Sequence, residues 1–417
     1  MNTLLFGRQA SHTAPGRESR PLLTVTVLWG VATWFPVGLA YLALLLTTIA
    51  LLFAPDRRAR WQHARKSGLL LFPGLFFVWI LLAFIAAPHG EMVAKILFHT
   101  GRFVLTIVLG LMLWPREAKF GIAAFAAVGA LMLLALLTEV TVGGVVRWPG
   151  LLSVLDYQGN KSIRAGILLC CLAAAAGCWA LWRHAGDRKT PTALALLILG
   201  GALLAVMFYV KTRSAMLILP LVLAGIALHR LRSPRAALAI VLIVLATGGV
   251  LHATSENLRS RISEGVTLLQ ADIASDRADS SWGKRYRFYV FSLARIAEHP
   301  LLGAGPGTWG TAWQAANAGT PWDGFGNPHS DYLLFGSEAG LPALAFLLLT
   351  YLHFLRRGWR QKRVWGGIAL AFAVTALLTG AINAGMRDAA FGLSLVWLMA
   401  ATMAATRNER DDQRGER

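Results

Sequence analysis

Cysteine is scarce in this chain, and its positions exclude a disulfide-stapled fold. The 417 residues include three cysteines, Cys170, Cys171 and Cys178, all within one apolar run. A disulfide framework needs cysteines in the loops, and there are none there. Adjacent residues on a helix point about 100° apart, so we expect no bond between Cys170 and Cys171. A packing role is favoured over a redox role.

Charge is also scarce, at 15% of residues against 56% hydrophobic residues. A soluble domain could not bury so much apolar surface, so the composition indicates a membrane protein. Apolar runs of about 17 to 25 residues, enough to cross a hydrocarbon core of about 30 Å, recur along most of the chain. The alternating pattern of a membrane barrel is absent. Because backbone groups must be satisfied inside lipid, the sequence predicts an all-α integral membrane protein.

We predict about twelve transmembrane helices. In the first apolar block, 22–54, Pro36 could kink one long helix or separate two helices. The basic residues favour two helices, since only then do the Lys and Arg clusters all fall on one side of the membrane. The positive-inside rule makes that side the cytoplasm, with both termini inside. The predicted spans are 22–34, 37–54, 68–87, 92–114, 118–139, 162–182, 192–210, 214–229, 236–252, 331–355, 365–384 and 389–406.

This topology divides the chain into four parts. Residues 1–252 hold helices 1–9 with short loops, and 253–330 form a large, partly helical external loop. Residues 331–406 hold helices 10–12, and 407–417 form a cytoplasmic tail. The basic N-terminal tail lacks an apolar core, so we expect the first span, not a cleaved leader, to direct the chain to the membrane.

Positive charges on the external side break the charge rule in two places. Lys211 and Arg213 lie in a short external turn, and Lys284, Arg285 and Arg287 crowd the first turn of a predicted amphipathic helix, 282–298. Cations at a helix N-terminus oppose its dipole, which favours an anion bound nearby. Alternatively, the first pair reaches lipid head groups and the second set is a solvated charge run.

A weaker set of polar residues lies within or beside other spans. Such charges normally face a cavity or a partner, although some of them should be structural pairs, such as Arg387 with Asp388. This set comprises Lys95, His99 and Arg102 on one helix face, Arg164, Glu338, Asn383, Arg387 and Asp388.

Metal and nucleotide chemistry lack a motif in the external segments. There is no Asp-x-Asp or His-x-x-x-His pattern, and the glycines of 303–307 follow no strand. We therefore expect metal-free chemistry in which Arg and Lys neutralise an anion.

Two motifs of the large loop resemble those of the O-antigen ligases, a family grouped with O-antigen polymerases and protein O-oligosaccharyltransferases. One runs from Arg285 to the corner His299-Pro300-Leu301-Leu302-Gly303-Ala304-Gly305. The other is Asn327-Pro328-His329-Ser330-Asp331-Tyr332, followed by Glu338-Ala339-Gly340-Leu341-Pro342. The turn Lys211-Thr212-Arg213-Ser214 is similar to a third family feature, with its serine and arginine in reversed order.

The resemblance implies a GT-C-like glycosyltransferase of the bacterial inner membrane whose active site faces the periplasm. It would transfer O-antigen from undecaprenyl diphosphate to a sugar hydroxyl of lipid A–core, without cofactor or metal. The partners would be these two substrates and membrane lipids, with no nucleic acid. The implied catalytic residues are His329, Arg285 and Arg213; those implied to bind substrate are Lys211, Lys284, Arg287, Asn327, Asp331 and Tyr332.

Alternatives remain at this stage. His329 could be a general base, a protonated phosphate ligand or a helix cap, although Ser330 or Asp331 could also cap. The chain could instead be an O-antigen polymerase or a protein O-oligosaccharyltransferase. A transporter or flippase is disfavoured, because the charges gather at the external mouth and no inverted repeat is seen.

Overall fold

The protein is described by a computed structural model that covers residues 19–142, 149–158, 162–182, 189–235, 256–274, 280–320, 322–387 and 389–407, with positions 238, 239, 242 and 253. Within these residues the chain is helical and has no β-strand. The helices are α1 (Arg20–Ala32), α2 (Val37–Leu52), α3 (Arg57–Lys66), α4 (Leu71–Ala86), α5 (Val93–Leu111), α6 (Pro115–Val142), α7 (Pro149–Leu155), α8 (Ser162–Trp182), α9 (Lys189–Leu204, extended by a π-helical turn Ala205–Tyr209), α10 (Arg213–Leu231), α11 (Glu256–Ala274), α12 (Ser281–Glu298), α13 (Trp309–Ala316), α14 (Asp331–Arg360), α15 (Val364–Ile382) and α16 (Ala389–Ala405).

Helices occupy eleven of the twelve predicted spans, and the ninth, 236–252, lies almost wholly outside the described residues. Three apolar helices of the described residues have only 10–17 residues each: Arg20–Ala32, Leu71–Ala86 and Phe391–Ala405. The fold is that of a multi-pass membrane protein. By length and composition, seven of the described helices could each cross a membrane: Val93–Leu111, Pro115–Val142, Ser162–Trp182, Thr192–Tyr209, Arg213–Leu231, Asp331–Arg360 and Val364–Ile382.

The first apolar block forms two helices that pack on each other, α1 and α2, which separate at Pro36. The structure thus has two helices where two spans are predicted, and the number of crossings stays a prediction. Small residues allow close helix contact at α1, because a Cβ at Gly30 would lie 2.1 Å from the Gly121 carbonyl oxygen of α6. Beside this contact the rings of Trp29 and Trp397 stack with centroids 5.2 Å apart.

The cysteines of α8 are free and fully buried, which confirms their packing role.

A buried ion pair joins α3 to the start of α6. Arg60 donates two hydrogen bonds to the Glu117 carboxylate, at 2.7 and 2.9 Å, and both side chains are inaccessible to solvent. Asp56 accepts from the Arg60 Nε at 2.8 Å, and its other oxygen accepts from the Trp114 indole at 2.7 Å. Every charge in this cluster therefore has a partner, which is the condition under which burial is tolerated.

The corner of the large loop, residues 299–308, packs into a break in α14. Pro342 has no N–H to donate to Glu338, and Gly340 leaves helical geometry with φ 79°. The corner supplies the missing bonds: the Gly305 N–H donates to the Glu338 carbonyl at 3.0 Å, and the Leu341 N–H donates to the Pro300 carbonyl at 2.8 Å. A Cβ at residue 340 would lie 2.0 Å from the Leu301 carbonyl oxygen, so this position requires glycine.

Helix α12 confirms the amphipathic helix predicted for 282–298. Helical spacing predicts that its apolar stripe is Tyr286, Tyr289, Val290, Leu293 and Ile296, and the buried face differs from that stripe in part. Phe288, Ser292 and Ile296 are the residues that turn inward. The stripe residues Tyr286, Val290 and Leu293 are exposed instead. The difference arises because α12 buries the aromatic Phe288 within the loop itself, which hydropathy alone does not anticipate.

Candidate active site

His329 lies in a tight polar turn directly before α14. The Asn327 Oδ1 accepts a hydrogen bond from the His329 N–H at 2.9 Å, a turn typical of asparagine. His329 itself has φ 52°, in the left-handed region, which costs a non-glycine residue about 1–3 kcal/mol. The helix cap is Ser330, whose Oγ accepts from the Leu333 N–H at 3.4 Å. Capping is therefore the task of Ser330, and the imidazole of His329 is available for other contacts.

Aromatic rings and cations surround the imidazole. Its centroid lies 5.9 Å from the Phe288 ring and 6.1 Å from the Phe325 ring. Burial lowers the pKa of His329 below its ordinary value, and the positive charges of Arg285 and Arg387 lower it further. Both effects favour the neutral form of the imidazole.

The imidazole opens into a cleft of about 230 Å³. Its wall comes from α5, from the turn before α14, from the segment between α15 and α16, and from α16 itself. Two cations on this wall carry charge that suits an anion. The lining residues are Lys95, Asn327, His329, Asn383, Ala384, Arg387 and Phe391.

Arg387 joins two walls of the cleft. Its guanidinium donates to the Gly326 carbonyl, directly before the histidine turn. Burial lowers the pKa of Arg387, and the nearby Glu338 carboxylate opposes that effect. Asp388, its predicted partner, lies outside the described residues. An arginine stays charged at pH 7 even so, since its ordinary pKa exceeds 12.

The basic face predicted on α5 is directed toward this cleft. Lys95 lines it, while Arg102, two turns further on, donates to the Met386 carbonyl and to the Tyr41 hydroxyl. Arg102 thereby holds the segment that carries Arg387, and His99 between the two cations is buried. Arg164, in contrast, donates to the Thr33 carbonyl at 3.1 Å and to the Phe35 carbonyl, contacts that hold the α1–α2 turn.

The N-terminus of α12, where an anion site is predicted, is joined to α11. Asp272 of α11 accepts hydrogen bonds from the N–H and the hydroxyl of Ser280, the N-cap of α12, at 3.0 and 2.5 Å. Ser280 in turn accepts from the Gly283 N–H at 2.9 Å. A carboxylate of the chain thus lies beside the N-cap of α12, and an anion bound by Lys284, Arg285 and Arg287 stays a prediction.

The three cations of that helix turn have separate surroundings. The Lys284 ammonium lies 5.9 Å from the centroid of the Phe325 ring, and the Arg287 guanidinium 5.9 Å from that of Trp322. Arg285 is the one whose charge acts on His329. Of this predicted set, the structure therefore brings Arg285 toward the cleft.

The turn Lys211–Ser214 approaches the cleft from another side. Ser214 accepts a hydrogen bond at 3.3 Å from the side-chain amide of Asn383, a lining residue. Lys211 and Arg213 are exposed and do not appear in the described lining of the cleft. The turn is thus one residue removed from the cleft wall, and the predicted roles of Lys211 and Arg213 stay predictions.

Asp331 and Tyr332, predicted to bind substrate, make internal contacts. Asp331 is buried and accepts from the Met386 N–H at 2.8 Å. The Tyr332 hydroxyl donates to the Leu377 carbonyl of α15 at 2.7 Å. Both contacts join the start of α14 to the α15–α16 region, so they position the cleft wall, and a substrate contact remains a prediction for these residues and for Asn327.

Glu338 ties the loop to this region. Its buried carboxylate accepts from the Trp309 N–H, at the start of α13, at 3.1 Å. The Trp309 indole then donates to the Ser292 hydroxyl of α12 at 2.9 Å. These contacts hold the aromatic group that packs beside His329.

In the described part of the chain, no group of three or more His, Cys, Asp or Glu side chains is placed to hold a metal ion. The cleft presents an imidazole, amides and cations, which fit an anionic substrate better than a cation.

Comparison with known families agrees with the motifs. Residues 198–348 match the family model for O-antigen ligases. The predicted family resemblance is confirmed. The match covers a little over a third of the chain and contains both loop motifs as well as the Lys211–Ser214 turn. No curated protein matches the chain. The O-antigen ligase family is one of glycosyltransferase-type ligases and polymerases, so this region indicates O-antigen transfer or polymerisation.

Lys95, Asn383 and Arg387 line the cleft although they were not among the predicted site residues. The sequence does mark these three residues, because each is a polar residue within or beside an apolar span. The sequence does not show that α5 packs beside the segment between α15 and α16, because the two are nearly 300 positions apart.

Proposed function

We propose that the protein transfers O-antigen polysaccharide from undecaprenyl diphosphate to a sugar hydroxyl of lipid A–core, by metal-independent inverting glycosyl transfer. The family match at residues 198–348 supports the reaction class. The basic residues of the predicted topology support an inner-membrane protein whose His329 cleft faces the periplasm, with both termini in the cytoplasm.

One observation carries the proposal: His329 lines the same cleft as Lys95 and Arg387, in surroundings that lower its pKa. A base needs an unprotonated ring, and a departing diphosphate needs fixed positive charge. The pKa lowering at His329 favours the base over the alternative of a cationic phosphate ligand, because a ligand of that kind would have to be protonated.

In the proposed step the acceptor hydroxyl oxygen attacks the anomeric carbon of the donor sugar. His329 takes the hydroxyl proton while the bond between that carbon and the phosphate oxygen breaks. The electron pair of that bond leaves on the lipid diphosphate, whose new charge Arg285, Arg387 and Lys95 stabilise. Arg213 and Lys211 complete the cationic rim, and a single displacement inverts the anomeric centre.

The other predicted residues would have supporting tasks. Asn327 shapes the histidine turn, while Asp331 and Tyr332 hold the cleft wall. Lys284 and Arg287, on the same helix turn as Arg285, would attract the diphosphate toward the cleft. The polyprenyl tail would lie along the apolar helices beside the loop, which is the arrangement of a GT-C-like enzyme.

Reconstitution with purified components tests this function. Full-length protein, lipid-linked O-antigen and lipid A–core, mixed in chelator and without nucleotide, should yield a larger lipopolysaccharide on a gel. His329→Gln and Arg285→Ala should abolish the shift. The matched control is His89→Gln, since His89 stacks on Phe84 at 5.2 Å outside the cleft lining. Full activity of both cleft variants would refute the assignment of the site.

The same gel separates the related reactions. Longer lipid-linked chains without a lipopolysaccharide shift would indicate an O-antigen polymerase, and transfer to a Ser- or Thr-containing peptide would indicate a protein O-oligosaccharyltransferase. Movement of intact donor across vesicles without any new bond would indicate a flippase.

A further inference from the structure

One face of α12 is apolar and exposed along its whole length. Its residues recur every three or four positions, which keeps them on one side of the helix. Each is between 45% and 69% exposed, far more than a loop helix of a soluble domain normally leaves uncovered. This apolar face of α12 comprises Trp282, Tyr286, Val290 and Leu293, and Leu301 extends it beyond the helix end.

α12 runs alongside the first half of α14 in the same direction. The Phe288 ring lies beside that of His329, with centroids 5.9 Å apart. Further along, Ile296 comes within 2.8 Å of where a Cβ would stand at Gly336.

A third contact, at 2.8 Å, joins the Pro300 carbonyl to the Leu341 N–H. The partners in each of these three contacts are 40 or 41 positions apart in sequence, so the two helices advance together.

The alignment of α12 with α14 indicates how deep α12 lies in the membrane. α14 is one of the helices long and apolar enough to cross a bilayer. At a rise of about 1.5 Å per residue, Leu341 lies roughly 15 Å further into the span than Asp331. Leu301 is beside the Gly340 break, and both Leu301 and Leu341 are exposed. The C-terminal half of α12 therefore descends to a level at which α14 is surrounded by lipid.

The residue types of the apolar face change with this depth. Trp282 and Tyr286 come first, and Val290, Leu293 and Leu301 follow deeper. Aromatic residues favour the head-group region of a membrane, and aliphatic residues favour the hydrocarbon. Lys284 and Arg287, near the shallow end, are basic as in helices that lie in a membrane surface. Glu298, the acid near the deep end, lies off this face by helical spacing and interacts electrostatically with Arg295.

We propose that α12 is inserted in the bilayer leaflet beside the large loop, with its apolar face against lipid acyl chains. The helix then holds Lys284 and Arg285 at head-group level, where the phosphates of any membrane lipid lie. This inference requires a membrane but no catalysis, so it stands apart from the proposed glycosyl transfer.

Site-directed spin labelling tests the insertion. Single cysteines at Tyr286, Leu293 and Leu301, in full-length protein in phosphatidylethanolamine–phosphatidylglycerol vesicles, would carry the label. The native cysteines are fully buried and should not react. Collision with oxygen, which concentrates in lipid, is compared with collision with a water-soluble nickel chelate. The matched controls are Leu352→Cys, exposed on α14, and Gln314→Cys, exposed on α13.

We expect the oxygen-to-nickel ratio to rise from 286 to 293 to 301 and to approach that of Leu352→Cys at the last position. Ratios equal to that of Gln314→Cys would show the face in water and overturn the proposal. Shielding from both reagents would also overturn it, since a protein partner or a second copy would then cover the face. Neither result depends on whether the protein transfers sugar.

Discussion

Among single residues, His329 combines a strained backbone with a perturbed side chain. Its φ of 52° is held by the Asn327 turn on one side and the Ser330 cap on the other. That strain is tolerated where surrounding contacts determine the conformation. The turn places the imidazole beside Phe288, where burial lowers its pKa and the positive charges of Arg285 and Arg387 lower it further.

Activity should therefore depend on pH in a defined direction. A base works only when neutral, so the rate should rise with pH through the pKa of His329 and then level off. Since that pKa is lowered, the midpoint should fall below about 6.5. Rates of ligation measured from acid to neutral pH check this. A rate that instead falls through the same range would identify a protonated phosphate ligand.

Arg387 offers a second test at this scale. Arg387→Met should lower the single-turnover rate by about 10²–10³, the usual loss when one contact to a developing negative charge is removed. Arg387→Lys should lose less, because it keeps the charge while giving up the fork of the guanidinium.

Arg116→Met, an exposed cation at the start of α6, is the control and should keep the wild-type rate. A wild-type rate for Arg387→Met, with unchanged melting temperature, would mean that the cleft does not bind the diphosphate.

At the scale of elements, the break in α14 and the corner of the large loop complete each other. α14 lacks hydrogen bonds at its proline, and N–H groups and carbonyls of the corner pair with the backbone groups that this break leaves free. Gly303 enters this contact with φ 69°, and a Cβ there would lie 2.3 Å from the Ala339 nitrogen. The fit of the loop to the bundle thus depends on backbone approach.

Gly303→Ala should loosen this contact. The variant suffers both left-handed strain, about 1–3 kcal/mol, and a clash with the backbone of α14. Gly319→Ala is a matched control: residue 319 has φ 77° but open space around it, so that only the strain remains. Limited proteolysis of the 280–320 segment should be faster in Gly303→Ala than in Gly319→Ala. Equal rates would show that the corner is not held by close packing.

Among the elements, prediction from sequence succeeded where hydropathy alone decides. The α14 start at residue 331 and the helix at 281–298 follow from apolar periodicity and capping residues. The buried face of α12 does not follow from periodicity, because it depends on contacts of Phe288 with Trp309 and Trp313 of another helix. Likewise, Asp272 at the N-terminus of α12 could not be foreseen, since the partner comes from α11.

At the scale of the whole molecule, long-range polar contacts fasten a bundle whose apolar helix surfaces resemble the lipid around them. Between helices in lipid, close packing and satisfied polar groups supply the association that hydrophobic burial supplies in water. The Arg60–Glu117 pair fastens one end of the bundle in this way, and Arg102 and Arg387 fasten the other through backbone carbonyls.

Glu117→Ala should destabilise the protein by about 3–5 kcal/mol, because it leaves the buried Arg60 with Asp56 as its remaining carboxylate. The double variant Arg60→Met, Glu117→Leu should recover much of that loss, since it removes both charges together. Thermal unfolding in detergent micelles measures both, with the exposed Glu91→Ala as control. If the single variant unfolds like wild type, the pair does not hold the bundle together.

The sequence by itself determined the membrane solvent, the helical class, most helix positions and the resemblance to the O-antigen ligases, because composition and short motifs act locally. It also singled out His329 and Arg285 as candidate site residues, since polar motifs are rare in a hydrophobic chain. Only the tertiary structure decided which charges share a cleft: it brought Lys95 and Arg387 to His329, and left Arg213 outside the described lining. The physical reason is that helix pairing in a bundle rests on contacts between residues hundreds of positions apart, which hydropathy does not record.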